Sequence, residues 1–203
     1  MKDELVREIE KLTPQAGALF DDIAAMTHDG EGITREAFGE RETAAGKRLC
    51  EFAQAEGIDS AIDHVGNFHV DLPGAAPGVT IMASHLDSVP VGGNFDGLAG
   101  VVAGLLVQAA CKRAGMTPRH GLKTIGFRSE ERPWFGTAYV GSKLALGLFG
   151  QDDLDGLKRF DSGLSPAGHL KAIGASPDAA SIAANRLRPE DIAAYLERHI
   201  EQG

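Results

Sequence analysis

Val79-Thr80-Ile81-Met82-Ala83-Ser84-His85-Leu86-Asp87 and Leu122-Lys123-Thr124-Ile125-Gly126-Phe127-Arg128-Ser129-Glu130-Glu131 decide how this chain is read. Each stretch opens as a mainly apolar run of strand length. Each closes in side chains that bind metal or move protons. Residues 79–83 and 122–127 read as buried strands. Between them, Leu98 to Ala114 is apolar nearly all round, which predicts a buried helix. Strand, helix and strand in that order predict an α/β sheet with parallel central strands. Ligands gather at the carboxyl ends of such strands. His85 and the Glu130-Glu131 pair should therefore arrive at the same edge of the sheet, with residues 79–83 and 122–127 as neighbours and the helix packed on them.

The text outside this centre reads as follows. Residues 3–27 predict a helix interrupted near Pro14, and 40–56 a second helix closed by Gly57. Ile58 to Asp63 and Phe68 to Leu72 flank Val65-Gly66-Asn67, a hairpin pattern. Pro73 to Gly78 and residues 86–96 read as loops, 137–148 as helix, and 150–170 as polar, turn-rich text. Pro189 suits the first turn of a helix reaching about Leu196, with a strand in the last few residues. No internal repeat is visible.

Composition narrows the classes. With 203 residues, 43% hydrophobic and 24% charged, the chain is an ordinary globular one, long enough for one full core or two small ones. Glycine is frequent, at 26 positions, and many of these lie beside the polar residues of interest. A net charge of -9 argues against a general nucleic-acid binder. There is no apolar run long enough for a membrane span, and Met1 to Leu5 lacks an apolar signal core. Cys50 and Cys111 fall in helical text and read as reduced, buried residues. These features point to the cytoplasm.

His85 and Asp87 stand two apart just past a strand. Imidazole suits zinc, and a nearby carboxylate can orient the ring. Asp96, in Gly92-Gly93-Asn94-Phe95-Asp96-Gly97, is placed to bridge two cations. Of Glu130 and Glu131, one could ligate metal while the other acts as general base on a water whose pKa the metal has lowered. Alone, Asp96-Gly97 is also a turn and Glu130-Glu131 also a solvated charge pair. Other templates fail: His-Glu-x-x-His, Gly-x-Ser-x-Gly and the P-loop are missing. Gln151 to Ser162 lacks the ends of a calcium loop. Ser84, His85 and Asp87 lie too close together for a relay triad. His28, His64, His69, His120 and His169 have no ligand-like company and read as surface or structural.

Ser84-His85-Leu86-Asp87-Ser88-Val89-Pro90, the Gly92–Gly97 run, Glu130-Glu131, Phe135-Gly136-Thr137, Gly141-Ser142 and His199-Ile200-Glu201-Gln202-Gly203 together resemble the peptidase M20 superfamily. More narrowly they resemble its hydantoinase/carbamoylase amidases: N-carbamoyl-amino-acid hydrolases, β-ureidopropionase and allantoate amidohydrolase. The resemblance implies an M20-like catalytic domain with a mixed, largely parallel sheet flanked by helices, and two divalent metals, zinc first, with manganese, cobalt or nickel as alternatives. It implies His85 and His199 on one metal, Glu131 on the other, and Asp96 bridging both. Glu130 would be the general base, Asp87 would orient His85, and Gln202 would touch substrate. The implied reaction is hydrolysis of a linear C–N bond of an N-carbamoyl amino acid or ureido compound by metal-activated hydroxide. An aminoacylase or dipeptidase, or a catalytically silent metal-binding fragment, are the alternatives. His199, where peptidase branches carry a carboxylate, favours the carbamoylase branch. Two departures stand out. Arg132-Pro133-Trp134-Phe135 replaces a Gly-Ser-Arg-Phe-like run, which bears on substrate. The family is also considerably longer, so residues 1–203 are expected to be the N-terminal part of the catalytic domain. The dimerisation domain of a homodimeric family and the C-terminal catalytic part would be absent.

Overall fold

The computed structural model describes residues 2–175, 178–184 and 186–200. In chain order it contains α1 (Lys2–Thr27), α2 (Glu40–Ala55), β1 (Asp59–Ile62), β2 (Phe68–Leu72), β3 (Ala76–His85), α3 (Leu98–Arg113) and β4 (His120–Phe127). The short helices α4 (Val140–Ala145), α5 (Gln151–Gly156), α6 (Pro166–Ala172) and α7 (Ala179–Ala184) follow, then a 3-10 turn and β5 (Ile192–Glu197).

The sheet is five-stranded with order β1-β2-β4-β3-β5. β1, β2 and β4 pair antiparallel, whereas β3 pairs parallel with both β4 and β5. The class is thus mixed α/β, with its parallel strands grouped at one side. The predicted adjacency of 79–83 and 122–127 holds, and α3 packs on both strands. Helices α1, α2 and α3 share one apolar core, in which Leu12, Leu19, Leu49, Val101 and Leu105 are fully buried against Phe68, Val70 and Leu86 of the sheet side. Among the described residues no helix is long and apolar enough to cross a membrane. Cys50 and Cys111 are buried free thiols.

Four local expectations need correction. Helix α1 runs through Pro14 without a break. Proline removes one N–H and crowds the preceding turn, yet Pro14 is exposed, and the buried stripe of Leu12, Ala16, Leu19 and Ile23 continues on both sides of it. The predicted helix over 137–148 shrinks to Val140–Ala145. The backbone at its start is used elsewhere: Tyr139, Val140 and Gly141 N–H donate to the carbonyls of Glu130, Ser129 and Arg128 (2.9 Å each). Residues 150–170 contain α5 and the start of α6, helices too short for a clear apolar period. Pro189 does open a turn, but residues 192–197 form a strand rather than helix because they complete the pairing of β3.

Strand β3 also reaches further than 79–83, and His85 is its last residue, not the residue after it. Register then explains the rest. His85 pairs with Phe127 on β4, and Ala83 pairs with Glu197 on β5. Since the three strands run parallel, Ser129 to Glu131 and His199 emerge beside His85 at one edge.

Candidate metal centre

His85 sits at the centre of this edge and is fully buried. Its Nδ1 lies 3.0 Å from the main-chain carbonyl of Asp87. A carbonyl only accepts, so the proton belongs on Nδ1 and the lone pair of Nε2 faces outward. That Nε2 is buried with no hydrogen-bond partner. Around it stand Asp96 Oδ1 at 3.7 Å and Glu130 Oε2 at 3.9 Å. The His199 ring centre is 5.0 Å from that of His85, and His199 Nδ1 is 3.7 Å from the same Asp96 oxygen. Two donor sets result, His85/Glu130/His199 and His85/Asp96/Glu131, with the donor atoms of each set within 4.8 Å of one another.

His85, Asp87, Asp96, Glu130, Glu131 and His199 are therefore brought together, Asp96 from the loop before α3. Gln202 lies outside the described residues. Glu130 is close enough to the two histidines to serve them either as a donor or as a base, with Oε2 3.9 Å from His85 Nε2. Asp87 does more than face His85. Its carboxylate is 3.5 Å from Nδ1, and it also accepts N–H bonds from Glu130 (2.9 Å) and Glu131 (3.0 Å). One carboxylate thus fixes the ring and both glutamates. Gly97 lets the ring fit. It has φ +65, and a Cβ there would come within 2.5 Å of His85 Nδ1. His199 is anchored as well: Ser84 Oγ donates to the Arg198 carbonyl at 3.0 Å, and that carbonyl passes so close to Gly100 that a Cβ would meet it at 2.5 Å.

The electrostatics suit a cation. Burial alone would lower the His85 pKa, but the carboxylates of Asp87 and Asp96 beside the ring and the charges of Asp87 and Glu130 outweigh it and push it up to about 11. Without metal, the cluster holds a proton to offset its own negative charge. Burial raises the Glu130 carboxyl above the ordinary range, with the Asp87 charge adding to the rise and His85 opposing it. A buried imidazole nitrogen lacking a hydrogen bond and facing carboxylates is a donor set that fits a divalent metal such as zinc.

Two supports were missed in the sequence. Glu42 and Arg128 form a buried ion pair. Glu42 also accepts the N–H groups of Phe38 (2.6 Å) and Ser129 (3.0 Å), and so holds Ser129 at φ 55 immediately before Glu130. Asn67 Oδ1 accepts the Arg128 N–H at 3.0 Å. The other support is Arg35, which is fully buried beneath the 86–96 loop. A charged residue at a buried position of α2 was the one available signal for Glu42, since Glu almost never lies buried without a partner. Trp134, in the segment that departs from the family pattern, donates from Nε1 to the Ser88 carbonyl at 2.8 Å and stacks on Phe160.

No family model matches the chain. It is 33% identical over 174 residues to an N-carbamoyl-L-amino acid amidohydrolase of Geobacillus stearothermophilus, a match covering 85% of this chain and 42% of that protein. It is 29% identical over 213 residues to a ureidoglycolate hydrolase of Oryza sativa subsp. japonica, covering 99% of this chain and 40% of that one. Among solved structures, a hydantoinase/carbamoylase family amidase from Burkholderia ambifaria superposes with a TM-score of 0.76 at 28% identity, over 93% of this chain and 46% of that one. The fold is thus that of hydantoinase/carbamoylase amidases, in part. The chain is similar in sequence to these hydrolases and spans less than half the length of the relatives it matches.

Proposed function

We propose that this chain carries the metal centre of an amidohydrolase that cleaves a linear C–N bond of an N-carbamoyl amino acid or related ureido compound. The observation that carries the reading is the buried, unbonded Nε2 of His85 facing Asp96 and Glu130 with His199 alongside. His85, Asp96 and His199 would hold one divalent cation, and Asp96 with Glu131 a second. Imidazole with carboxylate suits zinc best, with manganese, cobalt or nickel as alternatives. Bound there, the metal would polarise the substrate carbonyl and lower the pKa of water.

The chain's own residues supply the proton path. Glu130 accepts the proton of the attacking water and returns it to the departing nitrogen. Its raised pKa moves it toward the operating range of a general base. Asp87 keeps both glutamates and the His85 ring in place throughout. Gln202 is proposed to contact substrate, and the chain is proposed to form one part of the catalytic unit of its longer relatives. The names of those relatives support the carbamoyl or ureido class over an aminoacylase or dipeptidase, as does His199 in place of a carboxylate. Two buried thiols without a disulfide support a reducing compartment such as the cytoplasm.

The test is turnover of an N-carbamoyl amino acid by the metal-stripped chain, before and after zinc or manganese is restored. Hydrolysis that appears only with metal is expected. Tight metal binding without turnover would instead favour the silent metal-binding reading, which the partial coverage of the relatives brings into play. Absence of metal binding would refute both.

A further inference from the structure

Arg35 lies in no motif, yet its side chain is fully buried. Its guanidinium donates to the main-chain carbonyls of Leu86 (Nε, 2.6 Å), Asn94 (Nη1, 3.3 Å) and Asp96 (Nη2, 3.0 Å), and to Asn94 Oδ1 (3.4 Å). Leu86 and Asp96 are the two ends of the loop that follows β3. One planar side chain therefore closes that loop on itself. The Arg35 main chain adds a second attachment: its N–H donates to Ser88 Oγ at 2.9 Å, and its carbonyl accepts the Ser88 N–H at 3.0 Å.

We propose that Arg35 is the positioning residue of the metal centre, a clamp that sets Asp87 and Asp96 on either side of His85. Asp87 follows Leu86 directly, and Asp96 carries a clamped carbonyl itself. Loosening the clamp lets the two carboxylates move independently, although the ring between them stays fixed to β3. Burial makes the guanidinium costly, and the charges of Asp87, Glu42 and Asp96 offset that cost. The charge is thus retained where the acidic site needs a counterweight. Lysine keeps the charge but presents a single point, which cannot span Leu86 and Asp96 together. The effect on metal rests on the proposed metal centre. The clamp itself rests only on main-chain geometry.

Arg35→Lys tests both parts. In the metal-free chain, hydrogen exchange is followed at the Ser88, Val91 and Gly92 amides, which donate to Arg35 O, Thr34 Oγ1 and Ile33 O. Exchange there should rise at least about tenfold, while amides of β3 and β4 keep their protection. Zinc affinity, read by calorimetry, should fall about 10- to 100-fold, the usual effect of losing a group that orients metal ligands. Unchanged exchange at all three amides overturns the proposal, as does a rise spread equally over β3 and β4. If the unaltered chain binds no zinc, the metal-centre reading fails and the exchange data alone decide the clamp. If Arg35→Lys does not fold, Asn94→Ala removes one clamp acceptor, Oδ1, together with the Asn94 Nδ2 bond to the Phe20 carbonyl, and Asn94→Asp, which keeps the acceptor and loses only that bond, is its control; a smaller rise at the three amides is expected for Asn94→Ala beyond that of Asn94→Asp, and equal rises overturn the proposal.

Discussion

Glu130→Gln should reduce hydrolysis of an N-carbamoyl amino acid about 10²- to 10⁴-fold while leaving zinc uptake intact. The amide keeps the shape of the carboxylate but cannot accept a proton from water. Its main-chain N–H still donates to Asp87, so the loop stays in place. The measurement is kcat, with metal content determined in the same sample. It is made in this chain, or in an N-carbamoyl-L-amino acid amidohydrolase whose matching segment has been replaced by these residues. The position of Glu130 Oε2, 3.9 Å from His85 Nε2, makes the control informative. Loss of zinc together with activity would make Glu130 a metal ligand, and unchanged turnover would make it structural.

The largest stability effect is expected at Glu42→Ala. Removing one partner of a buried ion pair leaves an uncompensated charge, at a cost of about 3–5 kcal/mol. Here the Arg128 guanidinium loses its counter-charge and the N–H groups of Phe38 and Ser129 lose their acceptor. Burial raises the Glu42 carboxyl, and Arg128 pulls it back toward the ionised form, so the pair stands or falls together. Urea unfolding of the metal-free chain should show the loss in full. A change under about 1 kcal/mol would mean that Ser129 and the glutamates after it are held by other contacts. The loop's own bonds, from Tyr139 and Val140 N–H to Glu130 and Ser129, and those to Asp87 are among such contacts.

The strand ends were legible because each apolar run closes in a cluster of polar residues. Val79 to His85 and Leu122 to Glu131 carry both signals within about ten residues. His199 was reachable only through family likeness, because its place beside His85 depends on β5 pairing with β3, a contact more than one hundred residues apart in sequence. Residues 192–197 are largely exposed and lack period-two burial, so propensity misread them as helix and only the vacant edge of β3 explains the strand. Arg35 was silent, and Glu42 signalled only by its buried position on α2, for a related reason. Each works through main-chain groups of a distant loop, and nothing in the local text marks a carbonyl as an acceptor for a residue some fifty positions away. Asp87 was read as a partner of His85, and its larger task of holding Glu130 and Glu131 emerges only once β4 lies beside β3.

Zinc titration of the metal-free chain, beside His199→Ala and His85→Ala, tests the metal centre most directly. His85, Asp96 and His199 give three protein ligands, enough with water for a catalytic zinc site. Asp96 and Glu131 give the second position only two carboxylates. Calorimetry should therefore find one tight site and a second filled only at high free zinc, with the tight site weakened by His199→Ala and abolished by His85→Ala. Two equal tight sites, or a tight site indifferent to both substitutions, would contradict the account.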